Sequence, residues 1–211
     1  MNDRSIFIRF TQLLPQDKRL LLLAPGMTLA VLGLSWFGML QILEWSVFDW
    51  FTRMRSPEPP DPTIVIVTID DPDIAHVGDW PIPDAVIADL LWTINAGHPR
   101  VIGLDLYRDL IVEPGADELD RAFRTIPNII GIQKRFGQRQ VAAPRILDEH
   151  HQVAFADIVE DADGTVRRGL LSATDEAGQV HLSLGVMAAL QYLEADQITL
   201  EAIDSAAHQL R

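Results

Sequence analysis

Cysteine is absent from the 211-residue chain, and basic residues are scarce. Without cysteine the chain has no disulfide framework, no thiol nucleophile and no cysteine-ligated zinc or iron–sulfur centre. It carries 17 Lys and Arg against 30 Asp and Glu, a formal net charge of −13. Because phosphate binding needs clustered positive charge, this balance argues against DNA or RNA as the main partner.

The common catalytic signatures are also missing, since the chain contains no GxSxG, no P-loop, no GxGxxG and no HExxH. The stretch EDADG at 160–164 resembles a calcium loop. An EF-hand in that register would place Val159 and Leu170 where carboxylates are needed, so we reject it. We interpret the stretch as an Asp-Gly turn that leads into a strand beginning at Val166. The sequence predicts no catalytic residue, no metal ligand and no cofactor.

One long hydrophobic run lies near the N-terminus. Residues 20–43 form 24 consecutive uncharged positions, which at about 1.5 Å per residue exceed the ~30 Å hydrocarbon core. We predict a single transmembrane helix over 20–43, preceded by a cytoplasmic tail over 1–19. Lys18 and Arg19 directly precede the run, so the positive-inside rule places the N-terminus in the cytoplasm. The predicted location is the inner (plasma) membrane, crossed once, with the following domain periplasmic or extracellular.

The charge is divided unevenly along the chain. Residues 1–55 carry a net charge of +2, and the other 156 residues carry −15. An acidic surface suits a domain that faces solvent and is repelled by anionic headgroups. We therefore predict a separate extracytoplasmic domain over 45–211. The chain ends without a further strand or second span, which predicts that this domain is partial. The alternative is a small domain that is complete on its own.

Helices and strands alternate in the acidic part. The β-branched run at 63–70 predicts a strand buried on both faces. Asp84 is expected to be the N-cap of a helix that Gly97 ends. Further predicted elements are strands at 101–104, 128–133, 153–155 and 166–173, and helices at 117–126, 145–150 and 183–193. The order predicts an α/β fold, an N-terminal transmembrane helix followed by a mixed, mainly parallel sheet flanked by helices.

Three aspartates follow predicted strands. Asp70 and Asp71 end the first strand and Asp105 ends the second, so all three are expected at one edge of the sheet, where ligands bind. Together they could bind Mg²⁺ or Ca²⁺ or serve as acid and base. The alternative is that Asp71 and Asp105 only cap turns.

Two other features are candidates for ligand binding. Trp80 lies in GDWPIP (78–83), between a glycine and two prolines, and either lines a pocket or clamps its loop onto the sheet. Arg167 and Arg168 begin a predicted strand. They either hold an anionic ligand or pair with nearby surface carboxylates.

An ordered series of segments resembles the CHASE2 domain. The series is FDWFTRMRSP (48–57), IVIVTIDD (64–71), GDWPIP (78–83), AGHPRVIGLDL (96–106), DADGTVRRGLL (161–171) and SLGVMAAL (183–190). CHASE2 is an extracytoplasmic sensory module of bacterial adenylate and guanylate cyclases, histidine kinases and serine/threonine kinases. The resemblance implies a sensor that responds to an unknown small-molecule or protein signal. It implies no catalytic residues.

Three functions are compatible with these features. The first is a membrane-anchored extracytoplasmic sensory input domain without catalytic output, acting as a homodimer or with a signalling protein. The second is an anchored metal-dependent hydrolase that uses Asp70, Asp71 and Asp105. The third is a truncated, non-signalling copy. We favour the first, with a speculative ligand site at Asp70, Asp71, Trp80, Asp105, Arg167 and Arg168.

Overall fold

The fold is described from a computed structural model that covers residues 18–137 and 139–198. The chain divides into two compact units, Met1–Ile66 and Val67–Arg211. The described part of the first unit is mainly helical, and that of the second mixes helices and strands around a small parallel sheet. The predicted mixture of helices with a parallel sheet is therefore confirmed for the second unit, but in place of one mixed sheet the strands form a three-stranded parallel sheet and two separate antiparallel pairs.

The first unit contains helices α1, Lys18–Trp36, and α2, Gln41–Met54. Gly38 takes a left-handed backbone with φ +72° between them. The N–H groups of Gly38 and Met39 donate to the carbonyls of Ser35 and Leu34 at 2.9 Å each. This is a Schellman motif, which ends a helix by satisfying its last carbonyls. The continuous helix predicted over 20–43 is therefore wrong, because the chain turns at Gly38.

The apolar stretch is thus distributed over two helices. In the part of the chain that the structure describes, no single helix has the length and hydropathy of a membrane span. Leu23–Trp36 and Gln41–Met54 meet both requirements as a pair, with an 83° bend between them.

The strand predicted over 63–70 is not formed in the described structure. Local hydrogen bonds occupy both ends of the segment. The Asp61 carboxylate accepts from the N–H and hydroxyl of Thr63 at 2.8 and 2.7 Å, and Asp70 caps the next helix. Ile64, Val65 and Ile66 remain 67%, 82% and 81% exposed. A β-branched run favours extended backbone, but a strand also needs a neighbouring strand as its hydrogen-bond partner.

The second unit follows the predicted order closely from residue 84 onward. Its helices are α3 (Asp71–Val77), α4 (Asp84–Asn95), α5 (Ala116–Thr125), α6 (Arg145–Glu149) and α7 (Leu184–Glu194). Its strands are β1 (Ile102–Gly103), β2 (Ile129–Gln133), β3 (Val153–Phe155), β4 (Val159–Glu160), β5 (Val166–Arg168), β6 (Ser172–Thr174) and β7 (Val180–Leu182). The strand predicted over 166–173 is divided into β5 and β6, which belong to separate antiparallel hairpins.

A parallel sheet of order β1-β2-β3 forms the centre of this unit. Ile102 pairs with Ile129, and Gly131 pairs with Val153. Four of the five β2 residues are buried, as expected of a central strand covered on both faces. Gly131 in β2 permits close packing of α6, because an added Cβ would lie 2.6 Å from Leu147 Cδ1.

The hydrophobic core lies between this sheet and helices α4, α5 and α6. It is built from Ile82, Ile87, Ala88, Leu91, Ile102, Leu104, Leu119, Ala122, Phe123, Ile126, Ile129, Ile146 and Leu147. Helical spacing in the sequence predicts apolar stripes of Val86, Ile87, Leu90, Leu91 and Ile94 on α4 and of Leu119, Ala122, Phe123 and Ile126 on α5. The α5 stripe is confirmed in full, and on α4 Ile87 and Leu91 lie in the core whereas Val86 is 38% exposed.

The start of α4 differs from the prediction. Pro83 is the N-cap, and Asp84 is the first helical residue, 2% exposed. Its carboxylate accepts from the Val112 N–H at 3.0 Å and from Arg108 Nη1 at 3.3 Å. Burial lowers the pKa of Arg108, but a guanidinium remains charged. Asp84 therefore ties the 105–115 loop to α4.

The end of α4 also differs, because His98 rather than Gly97 takes the left-handed conformation, with φ 52°.

Substitution of Gly115 by alanine is expected to destabilise the second unit strongly. Gly115 has φ +111°, and an added Cβ would lie 2.1 Å from the backbone N of Ala85. Gly178→Ala is the matched control, because Gly178 has φ +81° but open space around its Cβ position. Both variants incur the left-handed strain of about 1–2 kcal/mol. Urea unfolding followed by circular dichroism should show a clearly larger loss for Gly115→Ala, and equal losses would contradict the packing of Gly115 against α4.

Candidate functional site

A pocket of about 450 Å³ lies at the carboxyl ends of β1 and β3, where parallel sheets place their ligands. Phe155 at the end of β3 is fully buried and lies in its wall. The segment where β5 leaves its hairpin and the start of α7 complete the wall. The lining residues are Asp105, Phe155, Ala156, Asp157, Ile158, Val166, Arg167, Arg168, Gly169, Leu170, Ser183, Leu184 and Gly185.

Two carboxylates lie on the strand side of the pocket. Asp105 is the second residue after β1, and Asp157 is the second residue after β3. The Asp157 carboxylate accepts from the backbone N–H groups of Arg135 and Phe136 at 2.9 and 3.0 Å, which hold it in place. Burial, and then the charges of Asp157 and Asp105, raise the pKa of Tyr107. The tyrosine therefore stays neutral beside a region of negative potential.

Two arginines from the β4–β5 hairpin lie on the opposite side. The predicted Asp-Gly turn is confirmed, since Gly164 has φ +75° and its N–H donates to the Asp161 carbonyl at 2.9 Å. Arg167, 7% exposed at its side chain, donates to Asp161 at 3.0 Å and to Asp163 at 2.7 Å. Its guanidinium is thus held by two carboxylates rather than presented to a ligand.

Arg168 is placed differently from Arg167. One nitrogen contacts Asp161, while the side chain remains 66% exposed at the pocket. Because a guanidinium has five N–H donors, Arg168 retains donors for a second partner. Of the two alternatives given for these arginines, the structure shows the pairing with nearby carboxylates, and Arg168 keeps donors for a further partner.

The other predicted site residues lie outside the pocket lining. Asp70 is the N-cap of α3, and its carboxylate accepts from the Asp73 N–H at 3.1 Å within a capping box. Asp71 is the first residue of α3, and Trp80 is 67% exposed in its loop. The structure thus brings together Asp105, Arg167 and Arg168. Over the described ranges, no group of three or more His, Cys, Asp and Glu side chains has the arrangement of a metal site.

The CHASE2 domain family matches residues 26–210, nearly the whole length. The chain belongs to the CHASE2 family. CHASE2 is a family of extracytoplasmic sensory domains, not itself catalytic. No curated protein and no solved structure gave a significant match.

Three of the CHASE2-like segments meet at the pocket. Residues 96–106 contain β1 and supply Asp105. Residues 161–171 form the Asp-Gly turn and β5, which supply Arg168. Residues 183–190 begin α7 and supply Leu184 and Gly185. Segments far apart in the CHASE2 sequence therefore form one concave surface.

Sequence reasoning missed Asp157 and the start of α7 as parts of this CHASE2 pocket. A signal for Asp157 was present, because it follows a predicted strand at 153–155 just as Asp105 follows one at 101–104. The place of Ser183 had no local signal. It depends on a bridge between Ser183 and Phe155 and on the Ser183 N–H donating to the Leu171 carbonyl at 3.0 Å.

A second polar cluster stabilises the β6–β7 hairpin. The Asp175 carboxylate lies 2.9 Å from His181 Nε2 and accepts from Arg135 Nη2 at 2.8 Å. It also accepts from the backbone N–H groups of Ala177 and Gln179. The hydrogen bond with His181, followed by that with Arg135, lowers the pKa of Asp175. This cluster joins the hairpin to the segment after β2.

Acid should destabilise the domain through these aspartates. The Arg167 hydrogen bond is the main cause that lowers the pKa of Asp163, to about 2, from its ordinary 3.8. A depressed folded-state pKa contributes stability that is present above the unfolded value and is lost as pH falls through the folded value. The urea midpoint should therefore fall as pH decreases from about 4 to about 2.

Arg167→Gln tests the cause of this acid sensitivity. The variant should have a lower midpoint at neutral pH and a shallower decrease between those pH values, because Asp163 and Asp161 have lost their shared cation. Arg124→Gln, at an exposed position near the end of α5, removes the same charge and should keep the wild-type pH dependence. An unchanged slope in Arg167→Gln would show that the ion pairs do not control acid stability.

Proposed function

We propose that this chain is a membrane-anchored extracytoplasmic sensory input domain that binds a small polar ligand in the pocket at the β1–β3 edge. The observation that carries the proposal is the pocket itself, formed by three segments typical of the family. Its volume of about 450 Å³ lies within the range of small-molecule sites.

The charges of the pocket favour a ligand that carries both signs. Asp105 is placed to receive a cationic group, and Arg168 is placed to receive an anionic group. Phe155 and Leu184 supply apolar surface between them. Asp157 adds negative charge beside Asp105, although both of its oxygens already accept backbone N–H groups. A zwitterion of the size of an amino acid would match both ends, whereas a simple anion would be repelled by the two aspartates.

The N-terminal helices support membrane anchoring. Residues 20–43 carry no charge, and Lys18 and Arg19 precede them. Helix α1 has 19 residues, about 28 Å of helix against the ~30 Å hydrocarbon core, although only α1 and α2 together meet both the length and the hydropathy of a span. The same charges support a cytoplasmic N-terminus and an acidic domain outside the inner membrane.

Signalling requires two conformations for which the ligand has different affinities. We propose that ligand binding biases such an equilibrium, and that a homodimer or an associated signalling protein carries the change across the membrane. An anchored metal-dependent hydrolase is not proposed, because the structure does not bring Asp70 and Asp71 into the pocket that contains Asp105.

The ligand class can be tested by thermal unfolding of the detergent-solubilised chain. The panel consists of the common amino acids together with matched amines and carboxylic acids. A zwitterion that binds the folded state should raise the midpoint, by an amount corresponding to about 2.7 kcal/mol at 100 times Kd. Asp105→Asn and Arg168→Gln should each weaken binding about tenfold or more.

Gly185 offers a pocket-filling control. An added Cβ meets nothing within 4 Å, so Gly185→Leu should fold while occupying pocket space, and Gly185→Ala should bind normally. A midpoint shift that persists in Gly185→Leu would place the ligand elsewhere. If no panel member shifts the wild type, the zwitterion proposal is wrong.

The location of the domain can be tested by fusions at Arg211. Alkaline phosphatase is active only outside the cytoplasm, and a conventional fluorescent protein fluoresces only inside. In a bacterial host the phosphatase fusion should be active and the fluorescent fusion dark. The opposite pair of results would overturn the extracytoplasmic placement.

A further inference from the structure

Helix α2 has a continuous apolar stripe. Leu43, Val47, Trp50, Phe51 and Met54 follow one another at spacings of four, three, one and three residues. At 3.6 residues per turn they occupy one side of the helix. The opposite side carries Gln41, Asp49 and Thr52 together with Trp45 and Phe48. The helix therefore has one wholly apolar stripe and an opposite side on which polar residues alternate with aromatic ones.

The stripe is exposed throughout. The exposed fractions are 63% for Leu43, 53% for Val47, 57% for Trp50, 61% for Phe51 and 62% for Met54. These five neighbouring apolar side chains are each more than half exposed. They mark an interaction surface, because single exposed apolar residues are common whereas contiguous exposed patches are not.

The bend between α1 and α2 has specific hydrogen bonds. Besides the Schellman motif at Gly38, the Ser35 hydroxyl donates to Glu44 Oε1 at 3.1 Å and so joins the end of α1 to the first turn of α2. The two helix axes meet at 83°. This bend is encoded in the chain by a glycine at the required left-handed position and by a polar pair across the turn.

The bend restricts the direction in which the axis of α2 runs in a bilayer. Its 14 residues give a length of about 21 Å, of which an 83° bend projects only about 3 Å along the direction of α1. If α1 inserts along the membrane normal, α2 runs nearly parallel to the membrane plane. Four residues separate it from the end of α1, which keeps it at the surface where α1 emerges.

We propose that α2 is an interfacial helix that lies on the outer surface of the bilayer with the stripe Leu43–Met54 facing the acyl chains. The proposal rests on the proposed anchoring by α1 and adds the placement of the helix that follows it. Trp50 and Phe51 suit the headgroup boundary, where aromatic side chains concentrate.

The polar groups of α2 agree with this placement. The hydroxyls of Ser46 and Thr52 donate to the carbonyls of Ile42 and Phe48 within the helix, at 2.8 and 2.9 Å. They therefore need no water at the lipid boundary. Arg53 lies in the last turn of the helix and Arg55 is its C-cap. Long basic side chains at this place reach lipid phosphates, and Arg55 also pairs with Glu58.

The absence of cysteine makes a direct test available, because each introduced cysteine is the only labelling site. Single variants Val47→Cys and Phe51→Cys sample the stripe, and Gln41→Cys and Thr52→Cys sample the opposite side. Leu32→Cys in α1 reports on the anchor. Each full-length variant is spin-labelled in vesicles of phosphatidylcholine with phosphatidylglycerol, and the label's accessibility to oxygen and to a water-soluble nickel complex is measured.

The stripe positions should favour oxygen, and the opposite positions should favour nickel, with a several-fold contrast between the two sets. Gly38→Ala, which disfavours the φ +72° turn, should reduce that contrast. Oxygen preference at all four α2 positions would show that α2 is buried in the bilayer, and nickel preference at all four would show that it is off the membrane. Either result overturns the proposal.

A second copy is the competing occupant of the stripe. It would give dipolar broadening at the Val47 and Phe51 labels that disappears on dilution with unlabelled chain, and this too would overturn the proposal. Loss of oxygen access at Leu32 would instead contradict the anchor itself. The two failures are therefore distinguishable.

Discussion

The parallel pairing of β2 with both of its neighbours is the constraint on which the second unit depends. Parallel strands need crossovers that return the chain to the same end of the sheet, and α5 and α6 provide them here. The crossovers bury β2 on both faces and direct the ends of β1 and β3 to one edge. The pocket lies at that edge because of this topology, and Asp105 and Asp157 occupy it because each follows one of those strands.

Several aspartates of this acidic domain hold parts of its fold together. Asp70 caps α3, Asp84 holds the 105–115 loop, and Asp157 anchors the segment after β2. Asp161 and Asp175 bind arginines that belong to other segments or strands. A short carboxylate accepts several hydrogen bonds at once, so aspartate connects loops that would otherwise leave backbone N–H groups without partners. Part of the large negative charge is thus structural.

Two neighbouring arginines of the β4–β5 hairpin are placed differently. Arg167 is held by two carboxylates within its own hairpin, whereas Arg168 next to it remains open to the pocket. The hairpin therefore fixes the backbone through one arginine and presents the other. A sensory domain needs this combination of a rigid frame and an accessible binding surface. Membership of the CHASE2 family agrees with a domain built to receive a signal.

The sequence alone determined the features that depend on local pattern. Apolar spacing located α4, α5 and their buried sides, the Asp-Gly pair located the β4–β5 turn, and the ordered segments identified the family. Tertiary structure decided what depends on distant partners. Residues 63–70 have the composition of a strand but no neighbouring strand to pair with. Asp84 is of a residue type common at N-caps, but its side chain binds the 105–115 loop. Gly38 ends a helix inside an apolar run, and Ser183 reaches the pocket through Phe155. Residue type sets which local conformations a segment favours. Hydrogen-bond partners far along the chain then decide which of the conformations that pair all backbone groups is adopted.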